Sequence, residues 1–174
     1  MIELHAPKVY TASFPSVIGT LSIASTNEGM CKLCIRGGKS SDFVQWLKKH
    51  LSDHDVVESD SRNGEYISEV NQYLSGKLHT FRIPLVMIGT EFQKRVWKEL
   101  LNIRYGSTIS YRELARRVGV PRGSQSVGRA NAANPLPLVV PCHRVIGSDD
   151  SLTGYGGGIK TKEFLLQLEG ALLM

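Results

Sequence analysis

Two helix-start signals follow one another in the second half of this 174-residue chain and constrain its fold more than any other feature. Thr90 and Gln93 have the T-x-x-Q spacing of a capping box, in which each residue satisfies an amide that the first helical turn leaves open. Phe92, Val96, Trp97, Leu100 and Leu101 then supply the apolar side of the helix. "RYGSTIS" breaks that period, and Ser110 with Glu113 gives a second box for "YRELARRVG", which Gly119 closes. After the turn "VPRG", the small residues of "SQSVGRANAAN" suit a helix that approaches a partner closely. Helix, glycine-containing turn and helix is the pattern of a helix-turn-helix, and an ordinary helical hairpin fits it too.

The first half reads differently. "VIGTLSIAS", with alternation at Leu21 and Ile23, and "GMCKLCIRGG", ended by Gly37 and Gly38, predict two strands. "SSDFVQWLKKHL" places Phe43, Val44, Trp46, Leu47 and Leu51 on one side of a helix that Ser40 or Ser41 caps. A polar loop is expected over Ser52 to Asn63. Tyr66, Ile67, Val70 and Leu74 then recur at helical spacing up to Gly76, and "TFRIPLV" predicts a further strand. The chain is thus expected to be α+β: a small α/β domain over residues 1–88, then a mostly helical domain over 89–174.

Charge separates the same halves. Residues 1–88 carry 9 Lys/Arg and 9 Asp/Glu, whereas residues 89–174 carry 12 and 7, so the whole net charge of +5 lies in the second half. That makes nucleic acid a candidate partner, although an ordinary solvated basic surface fits the same count. No apolar run is long enough to span a bilayer, and the N-terminus lacks the pattern of a secretory signal, so an intracellular protein is expected. Cys31, Cys34 and Cys142 cannot all pair, leaving at least one free thiol.

Cys142 lies in "VVPCHRVIG", next to His143 and Arg144. A thiol attacks as thiolate, and a histidine or a cation beside it lowers the cost of ionisation. Neighbours in an extended segment point apart, however, so His143 needs a turn or a bridging water to serve the sulfur. From these residues alone, a buried cysteine with an incidental histidine remains open.

The wider stretch "NPLPLVVPCHRVIG" resembles the active-site signature of the O6-alkylguanine-DNA alkyltransferases, whose hallmark Pro-Cys-His-Arg-Val is intact. "ISYRELA", "VGRANAANP", "TGYGGGI" and "KEFLLQLEG" extend the resemblance over most of residues 90–170 in the family's order. It implies a ribonuclease-H-like sheet in the first domain and a winged helix-turn-helix in the second. It further implies irreversible transfer of an alkyl group from O6 of guanine in double-stranded DNA to Cys142, by a monomer without cofactor, in cytoplasm or nucleus; some members of the family carry a structural zinc in the first domain. His143 would take the thiol proton through a water, Glu169 would orient His143, and Asn134 would serve as the hinge asparagine between recognition helix and active-site strand. Since the alkyl carbon lies within the base stack, the nucleotide must be flipped out. Tyr111 would press on its phosphate and help protonate the leaving guanine. The main chain at Cys142 and Val145 would read the base edge, with Pro137, Tyr155 and Gly156 completing the pocket.

For DNA binding the resemblance points to Arg122, Gln125, Ser126 and Arg129. The family usually presents an arginine where Gln125 stands, entering the duplex behind the flipped base. Glutamine stacks only partly and carries no charge, which implies weaker capture unless Arg122 or Arg129 substitutes.

Three function classes compete: a suicide repair protein, a lesion-binding relative, which typically lacks the acceptor cysteine, and a cysteine hydrolase, for which no oxyanion hole is evident. "CKLC" has zinc-ligand spacing, but positions i and i+3 of a strand face opposite sides and nothing completes four ligands. His50 and His54 read as solvated, the glycines of "TGYGGGIK" do not match a phosphate-cradling loop, and Asp149 and Asp150 read as a turn.

Overall fold

A computed structural model describes residues 6–35 and 40–172. The first half builds a four-stranded sheet in the order β3-β2-β1-β4, from β1 (Lys8–Phe14), β2 (Leu21–Thr26), β3 (Gly29–Cys34) and β4 (Asp55–Glu58). The first three strands form an antiparallel meander, and β4 joins β1 in parallel. Alternation along the strands sends Val9, Ala24 and Cys31 to one face, where α1 (Ser41–His50) covers them with Phe43 and Leu47. Ala12, Phe14, Leu21 and Ile23 face the other way, onto Val70, Tyr73 and Leu74 of α2 (Asp60–Leu74). Ser40 caps α1 by accepting from the Phe43 amide at 3.3 Å, as the sequence leads one to expect.

Two expectations need correction here. β1 carries no expectation of its own, and the stretch read as a polar loop holds both β4 and the start of α2, which Ser59 caps. β4 is a four-residue edge strand exposed on most of its length, so it lacks the alternation by which a strand is recognised. Conversely, "TFRIPLV" contributes a single parallel bridge, Leu85 with Met30, rather than a strand. Pro84 can accept from the Met30 amide but has no N–H with which to extend a ladder. Gly29 makes this approach possible, because a Cβ there would lie 2.5 Å from the Pro84 carbonyl oxygen. Gly37 and Gly38, expected to end β3, lie outside the described residues.

In the second half, α3 (Glu91–Leu100) starts with both hydrogen bonds of the Thr90–Gln93 box. It buries Val96, Trp97 and Leu100, while Leu101 points outward. Ser110 caps α4 (Tyr111–Arg117), but the Glu113 carboxylate turns to Arg116 and Arg117 at 2.8 and 2.7 Å, so the second box is only half made. The turn through Gly119 (φ +84°) leads to α5 (Ser124–Ala132), whose Val127, Ala130 and Asn131 pack inward. Trp97 Nε1 donates to the Ala130 carbonyl at 2.8 Å and fastens α3 to α5. The β element accompanying this helix-turn-helix is a short parallel pair, β5 (Ile109–Ser110) with β6 (Val145–Ile146), followed by a loop over 147–158 and α6 (Ile159–Leu168).

One buried apolar cluster runs through both halves, from Leu21 and Tyr73 to Trp97, Leu114, Val140 and Leu165. That shared core sets residues of α2 against the motif around Cys142. Among the described residues no helix is long and apolar enough to cross a membrane.

Candidate active site

The chain leading to Cys142 is held by Asn134. Its side-chain oxygen accepts from the Leu136 amide at 2.9 Å and its amide donates to the Val140 carbonyl at 2.8 Å, closing a compact bend. Leu136, Leu138, Val139 and Val140 are buried inside it, with Leu138 at φ +72°, a conformation costly for a branched side chain. The Leu33 amide of β3 donates to the Pro135 carbonyl at 2.9 Å, so the first half also supports the bend. Cys142 then enters a 3₁₀ turn, Cys142–Arg144, rather than the extended segment the sequence suggests. Pro141 cannot donate to a sheet, and its carbonyl accepts the Arg144 amide at 3.1 Å. The turn buries all three side chains together.

Within it His143 and Arg144 converge on Glu169, the residue that ends α6. His143 Nε2 lies 2.8 Å from Glu169 Oε1, while Arg144 Nε donates to Oε2 and Nη2 to Oε1, each at 2.9 Å. Tyr73 donates its hydroxyl to Oε1 at 2.5 Å, and the Gly106 amide reaches Oε2 at 3.2 Å. Burial works to raise the Glu169 carboxyl, yet the His143 and Arg144 hydrogen bonds hold it down at about 2. An ionised carboxylate only accepts, so Nε2 carries the imidazole proton and Nδ1 keeps its lone pair. Nδ1 is buried and has no hydrogen-bond partner among the described residues. Burial depresses the His143 pKa despite the carboxylate beside it, which favours the neutral base.

Burial also pushes the Cys142 thiol up to about 11, against the opposing pull of the Asn134 amide and the Lys162 charge. The resting sulfur is therefore a thiol and needs a base at the moment of attack. Arg144 is not the cation that helps it, as its neighbouring position suggests, because its guanidinium is spent on Glu169 and on the Ile103 carbonyl, 2.6 Å away. Lys162 takes that place. It is fully buried, donates to the carbonyls of Val145 and Thr153, and burial brings it down to about 8.

Cys142 opens onto a cavity of about 270 Å³. Pro137, Tyr155 and Gly156 line it together with Asn131. The Asn131 side-chain oxygen and the Tyr155 hydroxyl are, like His143 Nδ1, buried and unpartnered among the described residues. Val145 lies fully buried outside the lining, with its carbonyl engaged by Lys162. The glycine that close approach requires is Gly157, where a Cβ would meet the Tyr155 ring at 2.7 Å and Ile35 at 3.1 Å. Gly156 has open space in that direction, so a larger residue fits there. Tyr111, at the start of α4, is half-buried and reaches the Thr153 carbonyl at 3.4 Å. Arg122, Gln125, Ser126 and Arg129 all lie exposed in or beside α5.

Sequence reasoning missed Tyr73, Asn131, Lys162 and the part of the cavity wall formed by Lys32, Cys34 and Asp42 of the first half. Lys162 was findable, since Lys162, Leu165, Leu166 and Glu169 share the buried stripe of one helix. Tyr73 was not, because its spacing with Val70 and Leu74 reads as core. Cys31 turns its sulfur to the Ala24 carbonyl on the α1 side, and the Asp149 carboxylate accepts from the Ser151 hydroxyl in a turn.

Residues 9–87 match the family model for the 6-O-methylguanine DNA methyltransferase ribonuclease-like domain, and residues 91–171 that for the DNA binding domain of the same proteins. The methylated-DNA--protein-cysteine methyltransferase of Methanosarcina acetivorans is 41% identical over 94% of this chain and 99% of its own. The inducible enzyme of that name from Bacillus subtilis is 38% identical, over 97% and 94%. Among solved structures, Mycobacterium tuberculosis OGT in complex with DNA is similar at a TM-score of 0.81 and 38% identity, covering 92% of each chain.

Proposed function

The chain belongs to the 6-O-methylguanine DNA methyltransferase family, and from that premise we propose that it repairs alkylated DNA directly, taking the alkyl group from O6 of guanine onto Cys142 once and irreversibly. One observation carries this reading. A buried thiol opens onto a cavity of about 270 Å³ whose lining includes Asn131 and Tyr155, and three buried polar atoms, Asn131 Oδ1, Tyr155 Oη and Nδ1 of the adjoining His143, have no hydrogen-bond partner among the described residues. Buried polar atoms are almost always satisfied, so such a cluster points to a polar ligand that completes it.

The nucleotide flips out of the duplex into this cavity. As the sulfur attacks the alkyl carbon from the side opposite O6, the thiol proton passes to His143 Nδ1 through a water. A carbon–sulfur bond forms while the carbon–oxygen bond breaks, and the electron pair of the broken bond stays on guanine. Tyr111, whose phenol burial keeps protonated, supplies a proton to the departing base. Glu169 holds His143 in the accepting tautomer but is too weak a base to take the proton itself. Asn134 fixes the bend that presents Cys142, and Lys162 both offsets the negative charge developing on sulfur and ties the 147–158 loop to β6.

The chain acts as a monomer of two units, 1–88 and 89–174, a division supported by the separate family matches to 9–87 and 91–171. The exposed side chains Arg122, Gln125, Ser126 and Arg129 engage DNA. With DNA as substrate, its place of work is the cytoplasm or nucleus.

Mass spectrometry of the Cys142 peptide after incubation with duplex DNA containing O6-methylguanine tests this reading. One persistent methyl per chain is expected, and Cys142→Ala should bind the same duplex yet accept nothing. Tight binding with a bare thiol would instead make the protein a lesion binder.

A further inference from the structure

Tyr73 comes from α2, far from the active-site motif in sequence, yet its hydroxyl sits inside the relay. The residue is fully buried, donates to Glu169 Oε1 at 2.5 Å and stands 3.2 Å from His143 Nε2. A buried tyrosine needs a partner for its hydroxyl, and a backbone carbonyl would do. This one is aimed at the carboxylate oxygen that already receives the imidazole proton, in the short geometry of a charge-assisted bond. Because that phenol proton points at Glu169, the phenol oxygen offers its lone pair to Nε2–H. The imidazole N–H is thereby shared between Oε1 and Tyr73 Oη.

We infer that Tyr73 is a positioning residue for alkyl transfer, drawing negative charge from Glu169 so that His143 stays a neutral acceptor through Nδ1 instead of being trapped as imidazolium. A carboxylate with fewer donors holds a protonated imidazole more strongly, and a protonated His143 cannot take the Cys142 proton. The other groups facing His143 and Glu169 are Arg144 and Cys142 on the same turn, Lys162 on α6, Tyr105 after α3 and Tyr155 in the 147–158 loop. Of these, Arg144 and Lys162 also oppose protonation of His143. Tyr73 is the one contributed by the first half of the chain, which makes that half part of the chemistry as well as a scaffold. The inference rests on the alkyl-transfer reading above.

Tyr73→Phe tests it, since phenylalanine keeps the ring contacts with Phe81 and Tyr105 and removes only the hydroxyl. Single-turnover transfer rates from methylated duplex should fall away at higher pH in the variant than in the parent. The acid limb should move up by about one to two pH units, the size of one hydrogen bond to a charged group, while rates at alkaline pH converge. Tyr105→Phe is the control, because the Tyr105 hydroxyl bonds the Leu168 carbonyl rather than the carboxylate, and its acid limb should stay in place. Nitrogen-15 NMR of His143 reads the same effect without transfer: Nε2 protonated in the parent, and a titration midpoint raised in Tyr73→Phe. A uniform loss of rate at every pH, or an unmoved His143 titration, would overturn the inference. If the parent itself accepts no methyl, the alkyl-transfer reading fails, and the NMR titration still decides whether Tyr73 tunes His143.

Discussion

Glu169 receives hydrogen bonds from three side chains and a backbone amide, whereas the exposed side chains of Arg122, Gln125, Ser126 and Arg129 have no hydrogen bond or ion pair among the described residues. The two regions, assigned above to one substrate as a proposal, are built on opposite terms. The relay is ordered before substrate arrives, so each group at the sulfur already has its orientation and charge state when the base enters. The face proposed to meet DNA leaves its long side chains to solvent, and α5 itself starts at Gly123 without a side-chain cap. On that proposal its ordering cost falls at the moment of binding, when phosphates replace water. Chemistry here depends on fixed geometry, while recognition of a deformable duplex depends on groups that can still move.

The sharpest way to break this contrast is Glu169→Gln. It leaves Arg144 buried without its counter-charge, so a loss of about 3 kcal/mol in urea unfolding at neutral pH is expected, with transfer slowed by about 100-fold or more and affinity for DNA little changed. The folded carboxyl titrates at about 2 against an ordinary 4.5. Its stabilisation is therefore complete above the unfolded value and disappears as pH falls through the folded one. The gap between parent and variant should close over that acid range, and a gap that stays constant would mean that the carboxylate charge contributes nothing.

Gln125→Arg probes the other region. An arginine on the exposed face of α5 should raise the transfer rate on duplex DNA by about tenfold, the scale of one additional charged contact, and leave the rate on a free alkylated base unchanged. Equal acceleration on both substrates would place the side chain in the chemistry and blur the contrast. The smallest effect is expected from Arg129→Ala: weaker binding by a few-fold, and a plot of log affinity against log salt that is shallower by about one, with transfer at saturating DNA unaltered. An unchanged slope would remove Arg129 from the phosphate contacts.

Much of this was legible from residues alone wherever a local rule decides the outcome. Ser40, Thr90 and Ser110 all cap the helices they were expected to cap, because an N-cap is settled within four residues. Failures came where a partner distant in sequence decides. β4 is a strand because β1 offers an edge to it, and nothing in Asp55–Glu58 announces that. "TFRIPLV" has strand composition, but beside β3 it makes one bridge, since Pro84 lacks the next donor. Arg144, adjacent to Cys142 in the chain, turns away from it because the ionised Glu169 holds it.

By itself, then, the sequence marked Cys142 as the candidate nucleophile, put a histidine beside it and fixed the capped starts of α1, α3 and α4, all of them matters of residue type and short spacing. Only the tertiary structure decided what surrounds them. It made the 3₁₀ turn that buries Cys142 with His143, placed Lys162 rather than Arg144 where its charge bears on the sulfur, and brought Tyr73 onto the same carboxylate as His143. Those pairings span large stretches of chain and form only when a shared core closes the loops between them, a cost met by packing that no local pattern records.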